Sequence, residues 1–216
     1  MKSDEEDRVK RLKLAVFASG RGSNFQAILK AIEAGHLSAE VKILLSNNKE
    51  AGALDTARKY KIPAVVIRKH DFSTRDAFVS ALIQSLKEHD VEYVILAGYM
   101  KKIPPEVVVA YRNRILNIHP ALLPSFGGKG MYGHHVHEAV LGHGCRVSGA
   151  SVHLVDEVYD RGPIIAQRCV PVRDGDTPDT LAARVLEVEH QIFAEVIQWF
   201  AEGRVAVEDG RVRIKE

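Results

Sequence analysis

The chain carries almost no net charge of either sign. Thirty Lys and Arg face 28 Asp and Glu, leaving +2 over 216 residues. Bulk charge therefore gives no footing for a nucleic-acid or membrane role. Cysteine is scarce too. Cys145 and Cys169 are too few and too far apart for a disulfide framework or a cysteine-based zinc site. They read as reduced thiols of a cytoplasmic protein. No apolar run reaches the length of a membrane span. The first ten residues carry charges of both signs and lack the apolar stretch of a signal peptide, so residues 1–11 read as a flexible leader. Repeats, low-complexity segments and linkers are missing as well. What is present is an ordinary core. Hydrophobic residues make up 46%, normal for a globular chain, and the length suits one domain over residues 12–216.

Strand and helix patterns alternate along the first half. Leu14 to Ala18, Val41 to Leu45, Ala64 to Ile67, Tyr93 to Ala97 and Ile115 to His119 are short apolar runs. Between them, Phe25, Ile28, Leu29 and Ile32 recur at helical spacing and stop at Gly35. A second helix is expected near Leu54 to Tyr60. A third carries Phe78, Leu82, Ile83 and Leu86, with Ser73 as its expected cap. This order predicts an α/β fold with a parallel sheet covered by helices on both faces. Residues 120–134 are rich in Gly and Pro and read as a long loop, of a length that is usually either functional or disordered. Val147 to Val155 and Ile164 to Val172 are strands joined by an acidic link. Leu181, Val185, Ile192 and Val196 mark a long helix ending near Gly203. Asp209-Gly210 then marks a hairpin.

Three segments carry candidate chemistry. Ser19-Gly20-Arg21-Gly22-Ser23-Asn24 joins the first strand to its helix. Free N–H groups at a helix N-terminus and the Ser23 hydroxyl make an anion site, and Gly22 would let the backbone approach a phosphate. An ordinary turn is an equal reading of that motif alone. It is a poor dinucleotide fingerprint, because Phe25 holds the third glycine position and Ser46-Asn47-Asn48 supplies no acid for a ribose. A monophosphate fits better. In Asn117-Ile118-His119-Pro120, residues two apart share a strand face, so Asn117 and His119 project together. An amide beside an imidazole can stabilise negative charge developing on oxygen, and a protonated imidazole can supply a proton. The bland reading is a buried pair satisfying backbone groups. Finally, Asp156 to Pro163 holds several acids, each by default a solvated turn residue. Asp160 stands out because Gly162-Pro163 fixes the chain behind it. A carboxylate near His119 is expected to raise the imidazole pKa. His134, His135, His137 and His143 lack a helical ligand pair, so no metal is expected. Ser125 lacks a nucleophile elbow.

With FASGRGSNFQAIL, LAGYMKKIPP, ILNIHPALLPSF, SVHLVDEVYDRGPIIAQ and EVEHQIF in view, the chain resembles the glycinamide ribonucleotide formyltransferases from about Leu12 to Phe200. The resemblance implies the formyltransferase fold, with a Rossmann-like, mostly parallel sheet. It implies transfer of a formyl group from 10-formyltetrahydrofolate to the amine of glycinamide ribonucleotide, in purine synthesis, without a metal. Gly22, Ser23 and Asn24 then match the phosphate loop, and Glu189 a substrate-binding glutamate. Met100, Lys101, Lys102, Ile103 and Asn117 match the folate pocket, and Arg75 the arginine that meets the folate carboxylates. Asn117, His119 and Asp160 match the catalytic set, with His119 working protonated. Lys101 stands where an arginine is common, and Leu186 where some members have glutamine. The stretch Gly127 to Gly133, matched to a folate lid, is longer than in some members. Small molecules are the expected partners, with no nucleic acid or membrane; a homodimer is an open alternative. Two related enzymes, a methionyl-tRNA formyltransferase and a formyl-folate hydrolase, would need an added domain for which this length leaves no room. A non-catalytic nucleotide-binding module would need Gly22 to Asn24 but not Asn117, His119 or Asp160.

Overall fold

The computed structural model describes residues 11–215, so the expected leader lies, apart from Arg11, outside the described residues. The chain runs β1 (Leu12–Phe17), α1 (Ser23–Glu33), β2 (Ala39–Ser46), α2 (Gly52–Lys59), β3 (Ala64–Val66) and a 3-10 turn (Lys69–Asp71). It continues with α3 (Arg75–Glu88), β4 (Tyr93–Leu96), α4 (Pro105–Ala110), β5 (Ile115–His119), α5 (His134–Gly142), β6 (Val147–Leu154) and β7 (Ile164–Pro171). It ends with α6 (Pro178–Ala201), β8 (Val205–Glu208) and β9 (Arg211–Ile214). β1 to β7 form a seven-stranded sheet in the order β3-β2-β1-β4-β5-β6-β7, and β8 and β9 a separate hairpin. β1 to β5 are parallel; β6 runs antiparallel to both of its neighbours, so β7 points the same way as β1 to β5.

The sheet buries both faces, which is why its parallel strands are nearly all apolar. Leu14 and Val16 point to one side, with Phe25 and Ile28 of α1 and Leu181, Val185 and Phe193 of α6. Ala15 and Phe17 point to the other, against Phe78, Leu82 and Leu86 of α3 and Val107 of α4. α1 ends as its sequence predicts. Gly35 takes φ +74, and the N–H groups of His36 and Leu37 fold back onto the Ala31 carbonyl, closing a left-handed cap. α6 opens on a reciprocal capping box between Thr177 and Thr180, with Pro178 in its first turn.

The structure corrects the sequence reading in three places. Thr74, not Ser73, caps α3, its hydroxyl accepting the Ala77 N–H at 3.1 Å. α4 is a six-residue helix that the sequence pattern does not reveal. α5, a nine-residue helix that carries His134, His135 and His137, is likewise not revealed by the sequence pattern and follows a loop over residues 120–133.

Two glycines let β6 pair as it does. A Cβ on Gly149 would lie 2.2 Å from the Arg168 carbonyl and 2.9 Å from Cys169 Cα. On Gly162, where the chain turns back into β7, it would lie 1.9 Å from the Leu154 carbonyl. Backbone cannot yield as a side chain can. Gly149→Ala should therefore cost roughly 3 kcal/mol, the upper end for overpacking, read from the urea midpoint at unchanged slope. A loss below about 0.5 kcal/mol, ordinary for a surface change, would contradict this packing.

Candidate active site

Strand order reverses between β1 and β4, since β2 and β3 lie on one side and β4 and β5 on the other. Open α/β sheets bind ligands outside the carboxyl ends of strands at such a point. Here that crevice is a cavity of about 860 Å³, bordered by residues 20–24 after β1, 96–103 along and after β4, and 117–120 at the end of β5. The chain segments leaving β1 and β4 are tied together. Ser19 N–H donates to the Gly98 carbonyl at 3.0 Å, and Ser19 Oγ accepts the Met100 N–H at 2.8 Å. Asn48 Nδ2 holds the Ser19 carbonyl at 3.2 Å, so the polar end of β2 serves as a brace.

α1 starts here without a side-chain cap and without an acid in its first turn. Its first N–H groups are therefore available to an anion at the cavity wall. Gly22 is needed for two reasons that the motif does not display. It takes φ +76, and a Cβ would lie 2.8 Å from Ala53 Cβ. A substitution at Gly22 would disturb the packing of α2 before it tested any phosphate contact.

The polar side chains that are candidates for chemistry sit on β5 and β6. Leu116, Ile118, Ala150, Val152 and Leu154 enter the core, so Asn117, His119, Ser151 and His153 share the opposite face. The antiparallel register sets Asn117 opposite His153 and His119 opposite Ser151. His153 Nδ1 donates to the Leu154 carbonyl at 2.8 Å. In the neutral ring Nε2 is then the acceptor for an Asn117 Nδ2 hydrogen at 3.0 Å. That contact fixes the flip of the amide and leaves its second N–H for another oxygen. Ser151 Oγ donates to the Ala121 carbonyl at 2.6 Å and accepts the Leu123 N–H at 2.9 Å, bracing the chain as it leaves β5. Asp160 comes from the β6–β7 loop. Its Oδ2 lies 3.8 Å from His119 Nδ1, and its Oδ1 lies 3.6 Å from His153 Nε2.

Burial decides the charge of His119, against the sequence expectation. Its side chain is only 4% exposed. Desolvation pulls its pKa below the usual imidazole value, outweighing the upward pull of the Asp160 carboxylate and the Phe126 carbonyl. The imidazole is neutral at neutral pH. Burial pushes the Asp160 carboxyl upward, but His153, the Gly128 N–H and His119 together hold it below its ordinary value. His137, buried in α5 beside the same cavity, is driven down to about 4 by desolvation, helped by His134 and His119. At the other end of the cavity, burial drives Glu189 up to about 7 against one hydrogen bond from Asn24 Nδ2 at 2.7 Å.

Of the residues singled out in the sequence, Gly22, Ser23, Asn24, Met100, Lys101, Lys102, Ile103, Asn117, His119, Asp160 and Glu189 all line this cavity. Leu186 does as well, and so does the 128–133 stretch of the loop. Arg75 does not. It is exposed on α3 and paired through both guanidinium nitrogens with Glu106, at 2.5 and 2.8 Å. The histidines of α5 do not converge either. His134 pairs with Asp179 and His135 with Glu138, while His137 faces inward. Sequence reading missed His153 and Ser151. The polar-apolar-polar alternation of Ser151-Val152-His153 was their signal, the same one that exposes Asn117 and His119.

Glu189 yields a test of this electrostatic reading. Unfolded, its carboxyl ionises in the ordinary range near 4.5; folded, it keeps its proton to about 7. Between those values the folded state binds the extra proton, so wild-type stability falls as pH rises through that window. The fall is on the order of 3 kcal/mol. Glu189→Gln keeps the shape and an acceptor for Asn24 without the titration. In urea unfolding, the variant should gain on the wild type by that amount between pH 4.5 and 7.5. A difference that stays constant with pH would show that Glu189 is ionised in place.

Comparisons with known proteins follow the same geography. The family model described as formyl transferase matches residues 12–197, from β1 into α6. The chloroplastic phosphoribosylglycinamide formyltransferase of Vigna unguiculata is 47% identical over 197 residues, covering 91% of this chain and 63% of that protein. The phosphoribosylglycinamide formyltransferase of Escherichia coli is 37% identical over 198 residues, covering 92% of this chain and 91% of that one. The crystal structure of glycinamide ribonucleotide transformylase 1 from Symbiobacterium toebii superposes with a TM-score of 0.90 at 40% identity, covering 96% of this chain and 95% of the other. The chain thus spans under two thirds of the plant relative and nearly all of the bacterial ones. These matches run through both ends of the cavity and the strands between them, and the chain belongs to the formyl transferase family, among the phosphoribosylglycinamide formyltransferases.

Proposed function

We propose that this protein transfers the formyl group of 10-formyltetrahydrofolate to the amine of glycinamide ribonucleotide, a step of purine synthesis. One observation carries the reading. Asn117, His119 and Asp160 line a single cavity that also takes in an uncapped helix N-terminus and the segment 96–103, with Asp160 3.8 Å from His119. In this assignment the phosphate is held by the N–H groups at Ser23 and Asn24, and Glu189, hydrogen-bonded to Asn24, is a substrate contact at the same end of the cavity. The folate ring lies against Met100 to Ile103. The cavity volume is within the range of small-molecule sites, and residues 96–103 combine apolar Leu96 and Ile103 with backbone polar groups. Lys101, Lys102 and Lys129 line the same cavity, whereas Arg75 is engaged by Glu106. We therefore assign no folate contact to Arg75.

The chemistry follows from the proton positions. The amine attacks the formyl carbon, giving a tetrahedral centre with a negative oxygen and a positive nitrogen. The free N–H of Asn117 meets that oxygen. His119 enters neutral, with Nε2–H already donated and Nδ1 bare. Nδ1 takes the proton from the attacking nitrogen, and the imidazolium so formed is stabilised by Asp160 and by the oxyanion. The proton then passes to the folate nitrogen as its bond to the formyl carbon breaks. The protonated state expected from the sequence thus arises during the reaction, not before it.

The test is an assay with glycinamide ribonucleotide and 10-formyltetrahydrofolate, following formylated product by mass and folate release by absorbance. The two should form in equal amounts. Free formate without formylated product would point to hydrolysis and overturn the reading. Asn117→Ala should lower kcat about a hundredfold to a thousandfold, as for loss of one oxyanion donor, while substrate KM values change little. A near-normal kcat would remove Asn117 from the mechanism.

A further inference from the structure

The tautomer of His119 is set from outside the cavity. His119 Nε2 lies 2.8 Å from the Phe126 carbonyl. A carbonyl can only accept, so Nε2 carries the proton. Phe126 is held in an uncommon backbone conformation to make this contact. Its φ is +54, in the left-handed region that side chains larger than glycine rarely occupy. Such strain persists only where the surroundings over-determine it, and here they do. The Phe126 ring packs edge-on against His143, with centroids 5.4 Å apart. Gly127 has no room for a Cβ, which would lie 2.6 Å from Leu123 Cδ2 and 3.2 Å from Asp160 Cβ. Gly128 donates its N–H to Asp160 Oδ2 at 2.8 Å. Asp160 itself sits at φ +53. Three consecutive residues, 126 to 128, therefore grip the imidazole and the carboxylate together.

We propose that Phe126 is a positioning residue. Its carbonyl, clamped by the packing of its ring, commits the His119 proton to Nε2, so that the atom which accepts a proton is Nδ1, beside Asp160. The reversed tautomer would set the Nε2 lone pair against the carbonyl oxygen. The other ionisable groups facing His119 are His153 and His137, and neither hydrogen-bonds its ring. The structural part of the proposal stands on the contacts alone; its catalytic part rests on the formyl-transfer reading.

The experiment is imidazole 15N–1H correlation on the labelled full chain above the histidine titration, paired with kinetics. In the wild type, His119 should show a protonated Nε2 and a bare Nδ1. Phe126→Gly permits the same φ but removes the clamp. There the Nδ1–H form should grow to a comparable population, and kcat should fall about tenfold, a part of the usual contribution of acid–base catalysis, with KM values within about twofold. His143→Ala, at an exposed residue, should shift the tautomer in the same direction by less. A wild-type proton on Nδ1 overturns the proposal. So does a tautomer unchanged in Phe126→Gly, whatever happens to kcat, and so does a shifted tautomer with kcat intact. If Phe126→Gly does not fold, the wild-type spectrum and His143→Ala decide. Absence of formyl transfer in a wild type that shows the Nε2–H form would sink the functional reading and leave the tautomer assignment standing.

Discussion

The antiparallel pairing of β6 with β5 is the constraint from which the site follows. Parallel strands alone would deliver Asn117 and His119 to the sheet edge without neighbours. Reversing β6 sets His153 directly beside Asn117 and Ser151 beside His119. One residue of slip in that register would turn all the partners on β6 into the core. The reversal also decides what comes next. The β6–β7 loop leaves beside the start of β5, where the Val155 N–H donates to the Ile115 carbonyl, and it turns back to bring Asp160 near His119 and His153. Residues 128–133 line the cavity on the way to α5 and β6. The close approach of β6 to its neighbours is possible because Gly149 carries no side chain.

Burial and charge then divide the ionisable groups along the cavity. Asp160, with His119, His153 and a backbone N–H around it, is held as a carboxylate. Glu189, with one amide beside it, holds its proton to about 7. Two carboxyl groups in one cavity thus differ in charge near neutrality because their surroundings differ. His119 lies between the two influences, and desolvation prevails. A neutral imidazole suits a reaction whose attacking amine must shed a proton, and the nearby carboxylate makes the protonated imidazole a reachable intermediate.

Much of this was legible in the sequence, for identifiable reasons. α1 and α6 announce themselves by apolar spacing and by end signals at Gly35 and Gly203. Asn117 and His119 follow from the period of a strand. Ser151 and His153 obey the same period, but only the strand pairing reveals that they face Asn117 and His119. Glu189 occupies the buried stripe that runs through Leu181, Val185 and Ile192, a visible anomaly that pattern reading passed over in favour of resemblance. α4 is too short for a period, and α5 follows Gly133 with no capping side chain. The upward pull of Asp160 on His119 was legible, but the net shift is downward because sequence names neighbours and not depth. Arg75 was placed by resemblance alone, and Glu106, which engages it, lies 31 residues away along the chain.

The central claim is that a desolvated, neutral His119, supported by the Asp160 carboxylate, runs the chemistry of this cavity. NMR titration of the His119 imidazole, in the full chain and in Asp160→Asn, tests it most directly. The account predicts a wild-type pKa below the ordinary 6.5, falling further when the carboxylate charge is removed. A pKa above 6.5, or one that Asp160→Asn leaves in place, would contradict it.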